Sequence, residues 1–215
     1  MKIEDFKNSH KNDTFVVFGA GPTILDWKDS FGPEKHYKVG CSTVFMHKPN
    51  LDYYFNQDTC KLNGLPNGYH TNKELYDSYQ PKIAKFYGSC ILPYPPYSIG
   101  EHSYKIQDVL DGAAINYEVH QNIVELGTHP FMELYSVIFS CMQFGILCGV
   151  KNFIIVGCDI TNNIRVGEEK ENDGYKKADL VNRWKSFAQM TESLNLNIKV
   201  FKPIGLKGIF EEYEG

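Results

Sequence analysis

Thr14-Phe15-Val16-Val17-Phe18-Gly19-Ala20-Gly21-Pro22-Thr23 decides the fold. Thr14 to Phe18 is β-branched and aromatic, the composition of a buried strand. Gly19-Ala20-Gly21-Pro22 breaks that strand, and Pro22 to Trp27 opens a helix with proline in its first turn. Strand, glycine turn and helix start together make a phosphate cradle: glycines admit a close backbone approach, and free N–H groups at a helix start favour an anion. The dinucleotide fingerprint would need a third glycine where Ile24 stands, and an acidic residue about 20 positions on, closing the second strand. That strand, His36 to Cys41, runs instead into Ser42-Thr43. A nicotinamide or flavin site is therefore disfavoured, and so is a methyltransferase using S-adenosylmethionine, which wants the same acidic residue. A tight strand-to-helix turn that binds nothing is the plainer alternative.

The chain of 215 residues suits one α/β domain with a sizeable core. Its 42% hydrophobic and 22% charged residues are those of an ordinary globular protein. A net charge of −4 and the lack of any basic run argue against nucleic acid as a partner. The six cysteines lack CxxC spacing, and most sit in apolar runs, so they read as reduced, buried thiols in a cytoplasmic protein without a zinc site. The opening Met1 to Lys7 is too charged for a signal peptide.

Further strands are expected at His36–Cys41, Leu51–Phe55, Lys82–Tyr87, Phe153–Val156 and Asn197–Phe201. A weak helix is expected over 72–79 and an amphipathic one over 176–194, carrying Leu180, Trp184 and Phe187 inward. The prolines after Cys90 argue against regular structure there. Gly127-Thr128-His129-Pro130 looks like the launch of the strongest helix, Phe131 to Cys148, stopped by Gly149. From Leu134 to Val150 no charge occurs, yet the run is shorter than the ~20 apolar residues of a membrane span and carries Ser136, Ser140 and Gln143. Burial against the sheet is the expectation, with no transmembrane segment. Residues 1–13 read as a polar lead-in, 160–178 as a polar loop suited to a lid, and Glu211 to Gly215 as a solvated acidic tail. The tyrosines at 94, 97, 104 and 117 could stack on a base, though half-buried filler explains them as well.

Three strands end in small or polar residues: Gly19 to Thr23, Ser42-Thr43, and Asn56 to Asp58. Asp159 closes a fourth. In parallel sheets, ligands lie beyond the strands' carboxyl ends, where such side chains converge. Singly, each is explained as a turn or cap residue.

Two stretches, Phe15 to Thr23 (FVVFGAGPT) and Gly127-Thr128 followed by the apolar helix and CGVKNFIIVGCDIT at Cys148 to Thr161, resemble a superfamily of Rossmann-like transferases. It includes the bacterial sialyltransferases of glycosyltransferase family 42, the flagellin-modifying motility accessory factors and the archaeal hydroxymethylpterin pyrophosphokinase-like proteins. Those families share a G-x-G-P-S/T turn after the first strand and a G-x-D strand after a long buried helix. The resemblance implies a single-domain, Rossmann-like α/β sheet, mostly parallel, with helices on both faces. It also implies a nucleotide donor over the strand ends, CMP-sialic acid in the sialyltransferases, and a glycan or other small-molecule acceptor.

Carried over by motif, Gly19, Ala20, Gly21, Pro22 and Thr23 would approach phosphate and ribose, Ser42 and Asn56 ribose and base, and Gly127 and Thr128 the phosphate. Asp159 would anchor its strand end. The sequence departs from the sialyltransferases where their turn asparagine is Ala20, their second-strand asparagine Ser42, and a tyrosine after G-x-D is Thr161. Their histidine base has no counterpart, since no histidine follows His129. Gly19-Ala20-Gly21-Pro22 and Asp58 are more similar to the pyrophosphokinase and accessory-factor branch, where acidic strand ends would suit Mg²⁺ held by nucleotide phosphates.

The leading expectation is a nucleotide-dependent transferase, a sialyltransferase-like glycosyltransferase using a sugar nucleotide. Arg165, Lys176 or Lys177 from the loop would help neutralise the leaving phosphate. Asp58, Asp159 and His129 are the candidate bases. The alternatives are ATP-dependent diphosphate transfer to a pterin-like alcohol, and a non-catalytic nucleotide- or glycan-binding module.

Overall fold

The computed structural model describes residues 3–41, 44, 51–55, 90–91, 119–120, 125–132, 134, 136–160 and 177–215. Nine strands are present among them: β1 (Thr14–Phe18), β2 (Tyr37–Cys41), β3 (Tyr53–Phe55), β4 (Cys90–Ile91), β5 (Val119–His120), β6 (Phe131–Met132), β7 (Asn152–Val156), β8 (Asn197–Phe201) and β9 (Glu211–Tyr213). Two α-helices, α1 (Val137–Leu147) and α2 (Lys177–Glu192), complete the described framework.

Seven strands build one sheet in the order β4-β3-β2-β1-β7-β8-β9, every pair parallel, while β5 and β6 form a small parallel ladder apart from it. The expected mostly parallel α/β sheet is what the chain forms. Alternation along β1 explains its central place. Phe15 and Val17 enter one apolar layer with Val39, Phe153 and Ile155, beneath α1 and α2. Val16 and Phe18 enter the opposite layer with Ile154, Val156, Ile24 and Trp27. Helical segments thus cover both faces: two α-helices on one, and the 3-10 turns Pro22–Asp26 and Asp29–Phe31 on the other.

α1 is buried almost all round because it has neighbours all round. The sheet lies below it, and Phe139 meets Trp184 and Phe187 of α2 at ring separations of 4.3 and 5.3 Å. On its flank, Gln143 accepts the Met132 N–H at 2.7 Å and donates to Met132 O at 3.0 Å. Those two bonds explain one difference from expectation. Phe131–Met132 is strand β6, paired with β5 and held by Gln143, so the helix begins at Val137 and not at Phe131. Gly149, with φ +83°, ends the turn after α1 as its sequence foretold.

Three further expectations change. Cys90–Ile91 is a strand, because the prolines begin only at Pro93. The acidic tail is not merely solvated: Glu211–Tyr213 is β9, with Tyr213 against Trp27 and its hydroxyl donating to Phe31 O at 2.5 Å. The N-terminal lead-in is packed: Ile3 is buried, and Asn8 and His10 donate their N–H groups to Leu147 O and Cys148 O at 3.0 and 2.9 Å. His10 also links Asp13 to Tyr53. Its Nδ1 lies 2.8 Å from Asp13 Oδ2 and its Nε2 2.8 Å from the Tyr53 hydroxyl. The carboxylate only accepts, so Nδ1 donates to it.

Cys41, Cys141, Cys148 and Cys158 form no disulfide. Burial pushes Cys141, Cys148 and Cys158 up, Cys148 to about 12. The expected helix over 72–79, the strand over 82–87, the four tyrosines and most of the 160–178 loop lie outside the described residues.

Candidate functional site

Strand order reverses between β1 and β7: the chain moves one way from β1 to β2, and the other way from β7 to β8. Such a switch point is where open parallel sheets take ligands, beyond the carboxyl ends of the strands. Two loops meet there, Gly19–Thr23 after β1 and Gly157–Ile160 after β7.

The loops are stitched together. Gly19 donates its N–H to Val156 O and Gly21 to Gly157 O, both at 2.8 Å. Asp159, 4% exposed, accepts the Thr23 N–H on Oδ2 at 2.8 Å and the Thr23 hydroxyl on Oδ1. Its backbone oxygen accepts the Gly205 N–H from the loop after β8 at 2.8 Å. The glycines are required by space. A Cβ on Gly19 would stand 2.5 Å from Gly157 O, and one on Gly21 2.7 Å from Asp159 Oδ2. Burial holds the Asp159 carboxyl above its ordinary range, opposed by the two bonds from Thr23.

The glycine turn therefore differs from the expected anion cradle in one respect. The amides of Gly19, Gly21 and Thr23 are engaged by β7 and its loop, and Pro22 has none. The following helix is a 3-10 turn of five residues, with a weaker set of aligned dipoles than an α-helix. Ala20 and Gly21 are half-buried at the rim of the turn, while Thr23 is buried.

The same end of the sheet holds the N-terminus of α1. A Cβ on Gly19 would lie 3.3 Å from Ile138 Cδ1, so the first turn of α1 abuts the glycine turn. Ser136 is its N-cap residue, half-buried, and its hydroxyl closes no capping bond. Sequence reasoning missed this residue, although a serine directly before an unbroken apolar helical run is an N-cap signal.

Gly127, Thr128 and His129 go elsewhere. A Cβ on Gly127 would be 3.1 Å from Ile146 Cγ2, at the far end of α1. Thr128 closes a local turn, its hydroxyl donating to Glu125 O at 2.6 Å. His129 Nδ1 is 3.1 Å from Glu4 Oε1, beside the N-terminal segment that meets the last carbonyls of α1. The structure thus brings Asp159 to Gly19–Thr23 and leaves Gly127, Thr128 and His129 at the amino end of the sheet. Ser42, Asn56, Asp58, Arg165 and Lys176 lie outside the described residues, as does the side chain of Lys177.

Among the described residues, no three His, Cys, Asp or Glu side chains come together as metal ligands. No helix among them is long and apolar enough to cross a membrane.

No protein-family model and no curated protein sequence matches the chain. Solved structures do match it. The Campylobacter jejuni sialyltransferase CstII in complex with cytidine-5'-monophosphate, described as a substrate analogue, superposes with a TM-score of 0.55 at 12% identity, covering 95% of this chain and 86% of that one. CST-II in complex with a trisaccharide acceptor and CMP gives 0.55 at 9% identity, covering 94% and 86%. The apo α-2,3-sialyltransferase from Campylobacter jejuni gives 0.53 at 14% identity, covering 94% and 80%. In fold, the chain is an α/β protein similar to these sialyltransferases. The likeness runs along nearly its whole length and agrees with the resemblance carried by its two motifs.

Proposed function

We propose that the chain is a sialyltransferase-like glycosyltransferase that takes a CMP-linked sugar across the carboxyl ends of β1, β2, β3 and β7. The observation that carries this reading is the fold likeness, over nearly the whole chain, to sialyltransferases solved with CMP, together with a switch point whose glycine turn lies against the start of α1. In sugar transfer, an acceptor hydroxyl attacks the anomeric carbon, the bond from that carbon to the phosphate oxygen breaks, and the nucleotide leaves with the electron pair. Catalysis of this kind is positioning plus stabilisation of the leaving phosphate.

In this chain the glycine turn supplies mainly shape, because its Gly19, Gly21 and Thr23 amides are engaged. The amides of α1's first turn and the Ser136 hydroxyl are the donors best suited to the phosphate. Asp58, three residues beyond the end of β3, is our candidate for the base that receives the acceptor's proton. His129 is too far from the turn, and both Asp159 oxygens are bonded to Thr23.

The test is thermal-shift titration with CMP, CDP, UDP, GDP, ATP and S-adenosylhomocysteine, each with and without Mg²⁺. Metal-independent stabilisation by CMP is the expected result. Stabilisation by ATP that requires Mg²⁺ would overturn it in favour of diphosphate transfer. Silence across the panel from folded protein would remove nucleotide use altogether.

A further inference from the structure

We propose that Asp159 is a positioning residue, a clasp that sets the shape of the glycine turn receiving the nucleotide without touching the nucleotide or the transferred proton. The proposal rests on the sugar-nucleotide reading for its substrate and on the geometry of three loops for its mechanism.

Asp159 ties the two loops of the switch point to each other and to the loop after β8. Its side chain takes both donors of Thr23, after β1, and its backbone oxygen takes the Gly205 N–H, after β8. Neither contact is a local turn, since Thr23 lies 136 positions away in sequence. The fit leaves no slack: a Cβ on Gly21 would stand 2.7 Å from Asp159 Oδ2, and one on Gly205 2.6 Å from Asp159 O. The residue is buried, so the lone pairs left over from its two bonds to Thr23 are out of reach of a substrate hydroxyl. Ile160, next in the chain, sits at φ +50°, a left-handed backbone that a β-branched residue rarely adopts. That strain persists where surrounding contacts hold it, and the Asp159 contacts lie immediately before it.

A base and a clasp answer differently to Asp159→Asn. Asparagine still presents one oxygen to the Thr23 N–H, and its amide can donate to the rotated Thr23 hydroxyl. A clasp therefore survives the change, whereas a base does not. Asp159→Ala removes both bonds, and Thr23→Val removes only the hydroxyl bond.

The experiment measures three quantities on each variant: CMP affinity by calorimetry, sugar-transfer rate against pH with a CMP-sugar, and hydrogen exchange of the Thr23 amide. For Asp159→Asn we expect CMP affinity within about threefold of wild type, an unshifted pH profile and a protected Thr23 amide. For Asp159→Ala we expect affinity and amide protection each lowered about tenfold or more, with Thr23→Val between. If Asp159→Ala does not fold, Asp159→Asn and Thr23→Val decide the matter.

The proposal is overturned if Asp159→Asn loses turnover while keeping CMP affinity and amide protection, because Asp159 is then the base. It is also overturned if removing the Thr23 bonds changes neither affinity nor exchange. Wild-type protein that ignores every nucleotide would sink the sugar-nucleotide reading alone. The clasp would then stand or fall on Thr23 amide exchange.

Discussion

Gly19→Ala tests the stitching of the switch point most directly. The backbone at Gly19 is not left-handed, so alanine meets no conformational penalty there, only a lack of space. Its Cβ would fall 2.5 Å from Gly157 O and 3.1 Å from Gly157 C, both backbone atoms that no side-chain rotation can move. Relief requires the two loops to part, which breaks the bonds from Gly19 N to Val156 O and from Gly21 N to Gly157 O. Two backbone hydrogen bonds are worth about 1 kcal/mol each, and overpacking adds about 1–3 kcal/mol. The expected loss is about 3–5 kcal/mol, which lowers Tm by roughly 6–20 °C for a chain of this size. Calorimetric melting measures it. Gly208→Ala serves as the control: with φ +79° and nothing within 4 Å, it meets backbone strain without a clash, costing about 1–2 kcal/mol. A Gly19→Ala Tm within about 2 °C of wild type, or a Gly208→Ala loss as large as that of Gly19→Ala, would refute the reasoning.

Two carboxyls give opposite pH dependence, read from urea midpoints. Asp13 is held below its ordinary 3.8, chiefly by the bond from His10, so its stabilisation is full above 3.8 and is lost as pH falls through the lowered value. Asp13→Asn should flatten that acid limb; a limb that keeps its slope refutes the assignment. Asp159 is raised by burial, so its contribution is full below 3.8 and is lost as pH rises through the raised value. Asp159→Asn should remove that decline. Tyr213→Phe should lower Tm by roughly 2–4 °C through loss of one hydrogen bond, and Tyr213→Ala by more; wild-type melting of both would mean the tail does not dock. Ser136→Ala should change stability by less than about 0.5 kcal/mol, its hydroxyl closing no cap, while weakening the thermal shift produced by CMP. An unchanged CMP shift would take Ser136 out of the site.

The elements legible in the sequence are those whose residues all face the same kind of surroundings. β1 and β7 are buried on both faces, so their apolar runs announce them. α2 shows its inward stripe of Leu180, Trp184 and Phe187 against a polar outer face. β9 could not be read that way, because on an edge strand only Tyr213 meets the interior and its two neighbours are glutamates. The start of α1 was hidden for the opposite reason. β6 is as apolar as the helix, and what separates them is a pair of bonds from Gln143, eleven positions from Met132. The glycine turn was legible as a place where backbone must come close. What it comes close to was not, since the partner atoms belong to β7 and its loop, and the turn's amides looked free.

One consequence of the strand order concerns the birth of the chain. β1 lies at the centre of the sheet, yet its partner β7 is made about 140 residues later. At ordinary translation rates, that leaves one side of β1 without its native neighbour for roughly 10–30 s. A nascent Phe-Val-Val-Phe strand with an unfilled edge is the kind of surface on which chains stick to one another. Yield during synthesis should therefore depend on how quickly the stretch through Val156 emerges. Slowing translation between β2 and β7 should harm recovery of folded protein more than slowing it after β8.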